Sequence, residues 1–192
     1  MKPAMVFVLG VAVGAGAALL PKLARHIHEH LHGGRQENAP ETAGAVAHTE
    51  EKFEFEANGT MEEVAPLFGA EKERVWAPDW NPRFVWPAEA ADREGMVFTV
   101  AHGHMKSVWV NTALDFSGGR IQYAYVIPGA MATVITIRLT PEGERTHVAV
   151  KYDRTALSAD LNGHVEEMAE EDAKSGPYWE KQINEYLSKP KQ

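Results

Sequence analysis

Val75-Trp-Ala-Pro-Asp-Trp-Asn-Pro-Arg-Phe-Val-Trp-Pro87 gathers three of the chain's five tryptophans and three of its eleven prolines. Proline removes a backbone donor and fixes φ, so this stretch is neither regular helix nor central strand. Each indole must bury a large ring and satisfy an N–H. Such a segment plugs a core or lines the mouth of a pocket, and the flanking elements decide which. Upstream, Phe53 and Phe55 alternate with Glu54 and Glu56 as a half-buried strand. Asn58 and Gly59 turn the chain. Thr60 and Glu63 form a capping box that opens a short helix with Val64, Leu67 and Phe68 on its apolar face. Gly69 ends it, and a second short helical piece runs from Glu71 to Trp76.

Downstream, five strand candidates are separated by turns. Their inward faces read Met96, Phe98, Val100 and His102; Val108, Val110, Thr112, Leu114 and Phe116; Ile121, Tyr123, Tyr125 and Ile127; Thr133, Ile135, Ile137 and Leu139; and Val148, Val150 and Tyr152. Ser117-Gly118-Gly119, Pro128-Gly129 and Thr140 to Gly143 are the turns. The opposite parity is mostly polar, as in an antiparallel meander with one face covered and one in water. Trp109 breaks this pattern, because its parity is outward. The chain closes on a helical region from about Asp160 to Leu187. Val165, Met168 and Ala169 form one stripe, and Trp179, Ile183, Tyr186 and Leu187 another. Ser175-Gly-Pro177 lies between them and predicts a kink or restart at Gly176.

This element order, the segment Glu73-Arg-Val-Trp-Ala-Pro-Asp-Trp-Asn-Pro82 and the closing Tyr178-Trp-Glu-Lys-Gln-Ile-Asn-Glu-Tyr-Leu187 resemble the SRPBCC superfamily. That is the START-like, helix-grip group that includes polyketide cyclase/dehydrase-like and Bet v 1-like proteins. The resemblance covers roughly residues 53–188. It implies an α+β fold: a curved antiparallel sheet of about six to seven strands wrapped on a long C-terminal helix, with two short helices after the first strand. It also implies a cavity between sheet and helix that takes a lipophilic molecule, and in some members chemistry in that cavity. Fold alone does not assign function.

On this reading the cavity is bordered by Trp76, Trp80, Trp86, Phe98, His102, Val110, Thr112, Tyr123, Tyr125, Ile135, Val150, Tyr152, Met168 and Trp179. A mostly apolar pocket with a few placed polar groups suits a hydrophobic ligand. His102 is a weak candidate for catalytic acid or base, since imidazole titrates near neutrality, but a solvated strand-end histidine is the plainer account. His102 and His104 form His-x-His with no third ligand nearby in sequence, and no cofactor is expected. Arg154, beside Asp153, reads as a surface ion pair or as a clamp for a carboxylate at the cavity mouth. Glu166, Glu167, Glu170, Glu171 and Asp172 read as the solvated face of the last helix.

Before this domain (51–190) come two other segments. Residues 1–21 include Ala4 to Leu20, an uncharged, mostly apolar run at the short end for a membrane span. It reads as a transmembrane anchor, with a cleaved signal segment as the rival. Slightly more positive charge follows it than precedes it, which favours a single-pass protein with the domain facing the cytoplasm; export after cleavage is the alternative. Gly10 and Gly14 form the G-x-x-x-G step of a possible homodimer. Residues 22–50 read as a His-rich flexible linker. In it His26, His28, His30 and His32 make i,i+4 pairs on a helix, the spacing at which two imidazoles share a metal ion.

The bulk composition narrows the rest. There is no cysteine, so disulfides, thiolate nucleophiles and Cys-ligated metal centres are excluded. From Glu51 to Lys189 the chain carries 14 Lys+Arg against 23 Asp+Glu, a net of −9. Such a domain is a poor partner for nucleic acid. The expected function is membrane-tethered binding of a hydrophobic small molecule or lipid. A cyclase/dehydratase-type enzyme in the same cavity, or a non-catalytic membrane scaffold with a metal-binding His tail, are the alternatives.

Overall fold

The computed structural model describes residues 44–102 and 105–190. Seven strands build one antiparallel sheet: β1 (His48–Ala57), β2 (Arg83–Trp86), β3 (Val97–His102), β4 (Met105–Asp115), β5 (Arg120–Ile127), β6 (Met131–Glu142) and β7 (Arg145–Ala156). Their order across the sheet is β1-β7-β6-β5-β4-β3-β2. The first strand thus pairs with the last, and β1 and β2 are the edges. Between them in sequence lie α1 (Met61–Val64) and two 3₁₀ turns, Ala65–Phe68 and Lys72–Val75. A further 3₁₀ turn, Ala159–Leu161, leads into α2 (Asn162–Asp172) and α3 (Gly176–Leu187).

Local chemistry accounts for most of these boundaries. The Glu63 carboxylate accepts the Thr60 N–H at 3.1 Å, so the capping box forms as expected. The hairpin glycines Gly119, Gly129 and Gly143 all have positive φ. At Gly119 a Cβ would also collide with the Leu139 carbonyl, so only glycine fits this turn. The C-terminal region is two helices rather than one. The break falls at 173–175, and Pro177 occupies the first turn of α3, where its missing N–H costs nothing. Strand β1 starts at His48, inside the stretch expected as linker. Its polar outward side chains hid it, and its ladder with β7, from His48↔Thr155 to Ala57↔Thr146, holds it in place.

The expected inward face of β4 needs correction. Ser107, Trp109, Asn111 and Ala113 are buried, whereas Val108 and Thr112 are exposed and Val110 is half-buried. The cause is a β-bulge. Asn111 pairs with Tyr123 but Ala113 pairs with Gln122, so Thr112 is an extra residue and the alternation changes phase there. Beyond the bulge Leu114 and Phe116 do pack against the core. Trp109 therefore belongs to the interior, and Val110 and Thr112 do not.

Arg154 and Asp172 are also corrected. Arg154 follows Val148, Val150 and Tyr152 on the inward parity of β7 and is fully buried. Its Nε and one terminal nitrogen donate to the Asp172 carboxylate at 2.6 and 2.9 Å. The other terminal nitrogen donates to the Tyr125 hydroxyl and to Thr133 Oγ1, the latter at 3.2 Å. Asp172 is the inward member of the α2 stripe with Val165, Met168 and Ala169, while Glu166, Glu167, Glu170 and Glu171 face water. Asp153 pairs instead with Lys151.

Among the described residues no helix is long and apolar enough to cross a membrane. Ala4 to Leu20, the histidines from His26 to His32, and His104 lie outside the described residues.

Candidate functional site: orphaned polar groups on an aromatic wall

The Trp/Pro segment is tied to the short helical turns by its indoles. Trp76 N–H donates to the Leu67 carbonyl and Trp80 N–H to the Ala70 carbonyl, each at 2.7 Å. Both rings are buried, and two aromatic groups form on the inner side of the sheet. In one, Trp179 of α3 lies 5.2 Å from Phe53, 5.3 Å from Trp76 and 6.3 Å from Phe68, centroid to centroid. In the other, Trp109 stacks on Tyr125 at 4.1 Å and on Phe98 at 5.6 Å, with Trp80 edge-on to both Phe98 and Trp109. Trp86 stands apart from these groups. It is 47% exposed on edge strand β2, with the Arg93 guanidinium 4.5 Å above its ring.

Of the other expected cavity residues, Phe98, Tyr123, Tyr125, Ile135, Val150, Tyr152 and Met168 are buried and take inward positions. His102 ends β3, and its side chain is not among those described.

Within this wall three buried polar atoms have no hydrogen-bond partner among the described residues: Glu73 Oε1, Asn111 Oδ1 and Trp179 Nε1. Orphans of this kind are rare in folded proteins, because each costs on the order of 1–3 kcal/mol. Glu73 sits on the 3₁₀ turn Lys72–Val75, three residues before Trp76, and is 2% exposed. Asn111 lies opposite Tyr123 across β4 and β5. Its amide nitrogen is used twice, donating to the Ala113 and Gln122 carbonyls at 3.1 Å each, which fixes the oxygen as the unpaired end. The Tyr123 hydroxyl donates to the Phe68 carbonyl at 2.9 Å.

The electrostatics follow from burial and from two carboxyls near one another. Burial first, then the neighbouring Asp92, pushes the Glu73 carboxyl well above its ordinary value. Burial, then Glu73 and Asp92, raises Tyr123 likewise. Asp92 itself is raised by burial although it accepts the N–H groups of Glu71 and Lys72. Arg154 is different. Burial disfavours its charge, but Tyr125 and Asp172 beside it more than compensate, and it stays a guanidinium.

Glu73 has a consequence for stability. The folded chain holds a proton that the unfolded chain releases above about 4.5, the ordinary value of this carboxyl. The Glu73 contribution is therefore complete below that pH and is lost as pH rises toward the raised folded value, at a slope of at most about 1.4 kcal/mol per pH unit. Glu73→Gln is neutral in both states and is expected to flatten that decline. Thermal midpoints of parent and variant between about pH 5 and pH 8 check it. Parallel profiles would show that Glu73 does not hold its proton.

Two other features lie outside this wall. A half-open groove of about 560 Å³ is lined by Glu63, Pro66, Leu67, Lys72, Tyr186, Leu187, Lys189 and Pro190, where the short helical turns meet the end of α3. Leu67 contributes to both sites, since its carbonyl takes the Trp76 N–H. On the outer face Glu56, Glu142 and His147 bring potential ligand atoms within 4.8 Å of one another. His147 Nδ1 lies 2.8 Å from Glu56 Oε1, a cross-strand pair that raises the imidazole above its ordinary value. A solvated ion pair accounts for this group without a metal.

Comparison with solved structures finds the same architecture elsewhere. The chain is similar to a truncated norcoclaurine synthase from Thalictrum flavum, with 10% identity, 78% of this chain and 99% of that one covered, and a TM-score of 0.59. It is similar to a protein from Rhizobium loti, with 17% identity, 75% and 100% covered, and a TM-score of 0.51. A protein from Arthrobacter aurescens matches with 16% identity, 78% and 94% covered, and a TM-score of 0.53. No family model and no curated protein matches the chain. At such identities the likeness concerns the fold alone: a seven-stranded antiparallel sheet, two short helical elements after its first strand and C-terminal helices against its inner face give this domain the helix-grip fold.

Proposed function

We propose that the domain binds a hydrophobic small molecule or lipid against the inner face of its sheet, without chemistry on it, and that the apolar run Ala4 to Leu20 tethers it to a membrane where such molecules partition. The observation that carries the ligand reading is the set of buried polar atoms left unpaired in an aromatic wall. Each such atom costs free energy while it is unpaired, and a bound molecule that pairs with it offsets that cost. The groove beside Leu67, with a volume in the range of small-molecule sites, lies next to that wall.

One observation favours a second reading. A buried carboxyl held in its protonated form is the kind of group that serves as a general acid, and here that group is Glu73 rather than His102. Binding remains the better supported reading, because the neighbouring Asp92 carboxyl is already engaged by the Glu71 and Lys72 N–H groups.

Native mass spectrometry of the full chain, released from a membrane fraction by mild detergent, tests the proposal. A co-purified lipophile is expected. Recovery of the chain from the soluble fraction would overturn the tether, and spectra of the bare chain alone would overturn the ligand.

A further inference from the structure

The groove where the short helical turns meet the end of α3 has a chemistry of its own. Pro66 and Leu67 on one side, and Tyr186, Leu187 and Pro190 on the other, give it an apolar floor. The two prolines bring no backbone N–H to that floor, and Tyr186 presents a ring with only its tip polar. A volume of about 560 Å³ is that of a small-molecule site.

Three charged side chains share the lining: Lys72, Lys189 and Glu63, a formal sum of +1. This surplus of positive charge lies in a domain whose net charge is −9 between Glu51 and Lys189. The acids nearby are already engaged. The Glu63 carboxylate turns back to accept the Thr60 N–H at 3.1 Å. Glu71 accepts from Arg74 Nε at 2.8 Å, and Asp92 accepts the Glu71 and Lys72 N–H groups at 2.9 and 3.3 Å. Lys174 and Lys181 pair with Glu171 and Glu185 beside them, whereas among the described residues no salt bridge engages Lys72 or Lys189. Lys72 does lower the Asp92 carboxyl, but only through space.

We propose that this groove is a second binding site, separate from the aromatic wall, for a single-chain carboxylate amphiphile. Lys72 and Lys189 hold the head, and the chain lies on Leu67, Leu187 and the Tyr186 ring. A monoanion matches the formal +1 of the lining, and a dianionic head would leave one charge uncompensated beside Glu63. An ammonium is a compact point charge, which suits a head at the solvent-facing rim. A neutral amphiphile gains the floor alone, and a cationic one is repelled by both lysines.

Octanoate, octanol and octyltrimethylammonium, titrated into the purified full chain at low salt and followed by calorimetry near neutral pH, test the assignment. Octanoate is expected to bind about tenfold more tightly than octanol, the gain from two solvent-screened ion pairs, and the cation is expected not to bind. High salt should erase the advantage of octanoate without weakening octanol. Decanoate should gain about tenfold over octanoate, since two more methylenes leave water. Both lysines are exposed, so Lys72→Gln with Lys189→Gln leaves the core untouched. That double variant should bring octanoate down to the affinity of octanol and leave octanol unchanged, a split that unfolding would not produce. Equal binding of octanoate and octanol by the parent, octanoate affinity unmoved in the double variant, or binding of neither probe overturns this site. None of these outcomes touches the ligand reading of the wall, which the co-purified molecule decides.

Discussion

Replacing Asp172 by Ala is expected to destabilise the domain by about 3–5 kcal/mol, because it strands a buried charge. The Arg154 guanidinium is fully buried, and two of its hydrogen bonds end on this carboxylate. With Asp172 gone, Tyr125 and Thr133 still accept from one nitrogen, but the positive charge has no counter-ion in a low-dielectric interior. Arg154→Met is expected to cost a similar amount, since it leaves the carboxylate alone. The double replacement Arg154→Met with Asp172→Leu should recover most of the loss, because a hydrophobic pair of like volume often does as well as a buried ion pair. Urea unfolding of the four proteins, read as a double-mutant cycle, measures this. Additive losses would show that the two residues do not act as a pair. The same bond joins β7 to the end of α2, just before the break at 173–175, so the unpaired variants should also loosen the helix junction over the sheet.

Trp179→Ala is the second large effect, expected at about 3–5 kcal/mol. The indole is fully buried and meets Phe53, Phe68 and Trp76 within 6.3 Å of their centroids. Its N–H has no partner among the described residues, so truncation breaks no internal hydrogen bond and the cost is lost packing and a cavity. Trp179→Phe keeps most of the ring contact and should cost much less. Denaturant midpoints of the three proteins give the comparison, and a loss of under about 1 kcal/mol for Trp179→Ala would mean that the wall collapses onto the gap.

Much of this molecule was legible along the chain because the governing interactions are local. The capping box at Thr60 and Glu63, the turns ending in Gly119, Gly129 and Gly143, and the restart at Gly176-Pro177 each rest on one or two residues whose backbone preferences leave few options. Period-two alternation placed the inner faces of β5, β6 and β7 for the same reason. It failed in β4, where one extra residue, Thr112, shifts the phase, so Trp109 looked outward until the partner strand showed the bulge. The inward role of Asn111 was hidden with it.

The polar interior was harder to read, although partial signals existed. Glu73 shares a helical face with Trp76, and Asp172 continues the stripe of Val165, Met168 and Ala169. Charged side chains on such faces are usually solvated, and only the partner justifies the exception. For Asp172 that partner is Arg154, eighteen residues away on a strand. For Glu73 the neighbouring charge is Asp92, on the connection between β2 and β3. The sequence by itself determined the order of elements, the turns and the apolar faces, since these follow from short-range sterics and periodicity. Only the tertiary structure decided which polar groups are buried, which are paired and which are left open on the aromatic wall, because pairing depends on where distant strands and helices meet.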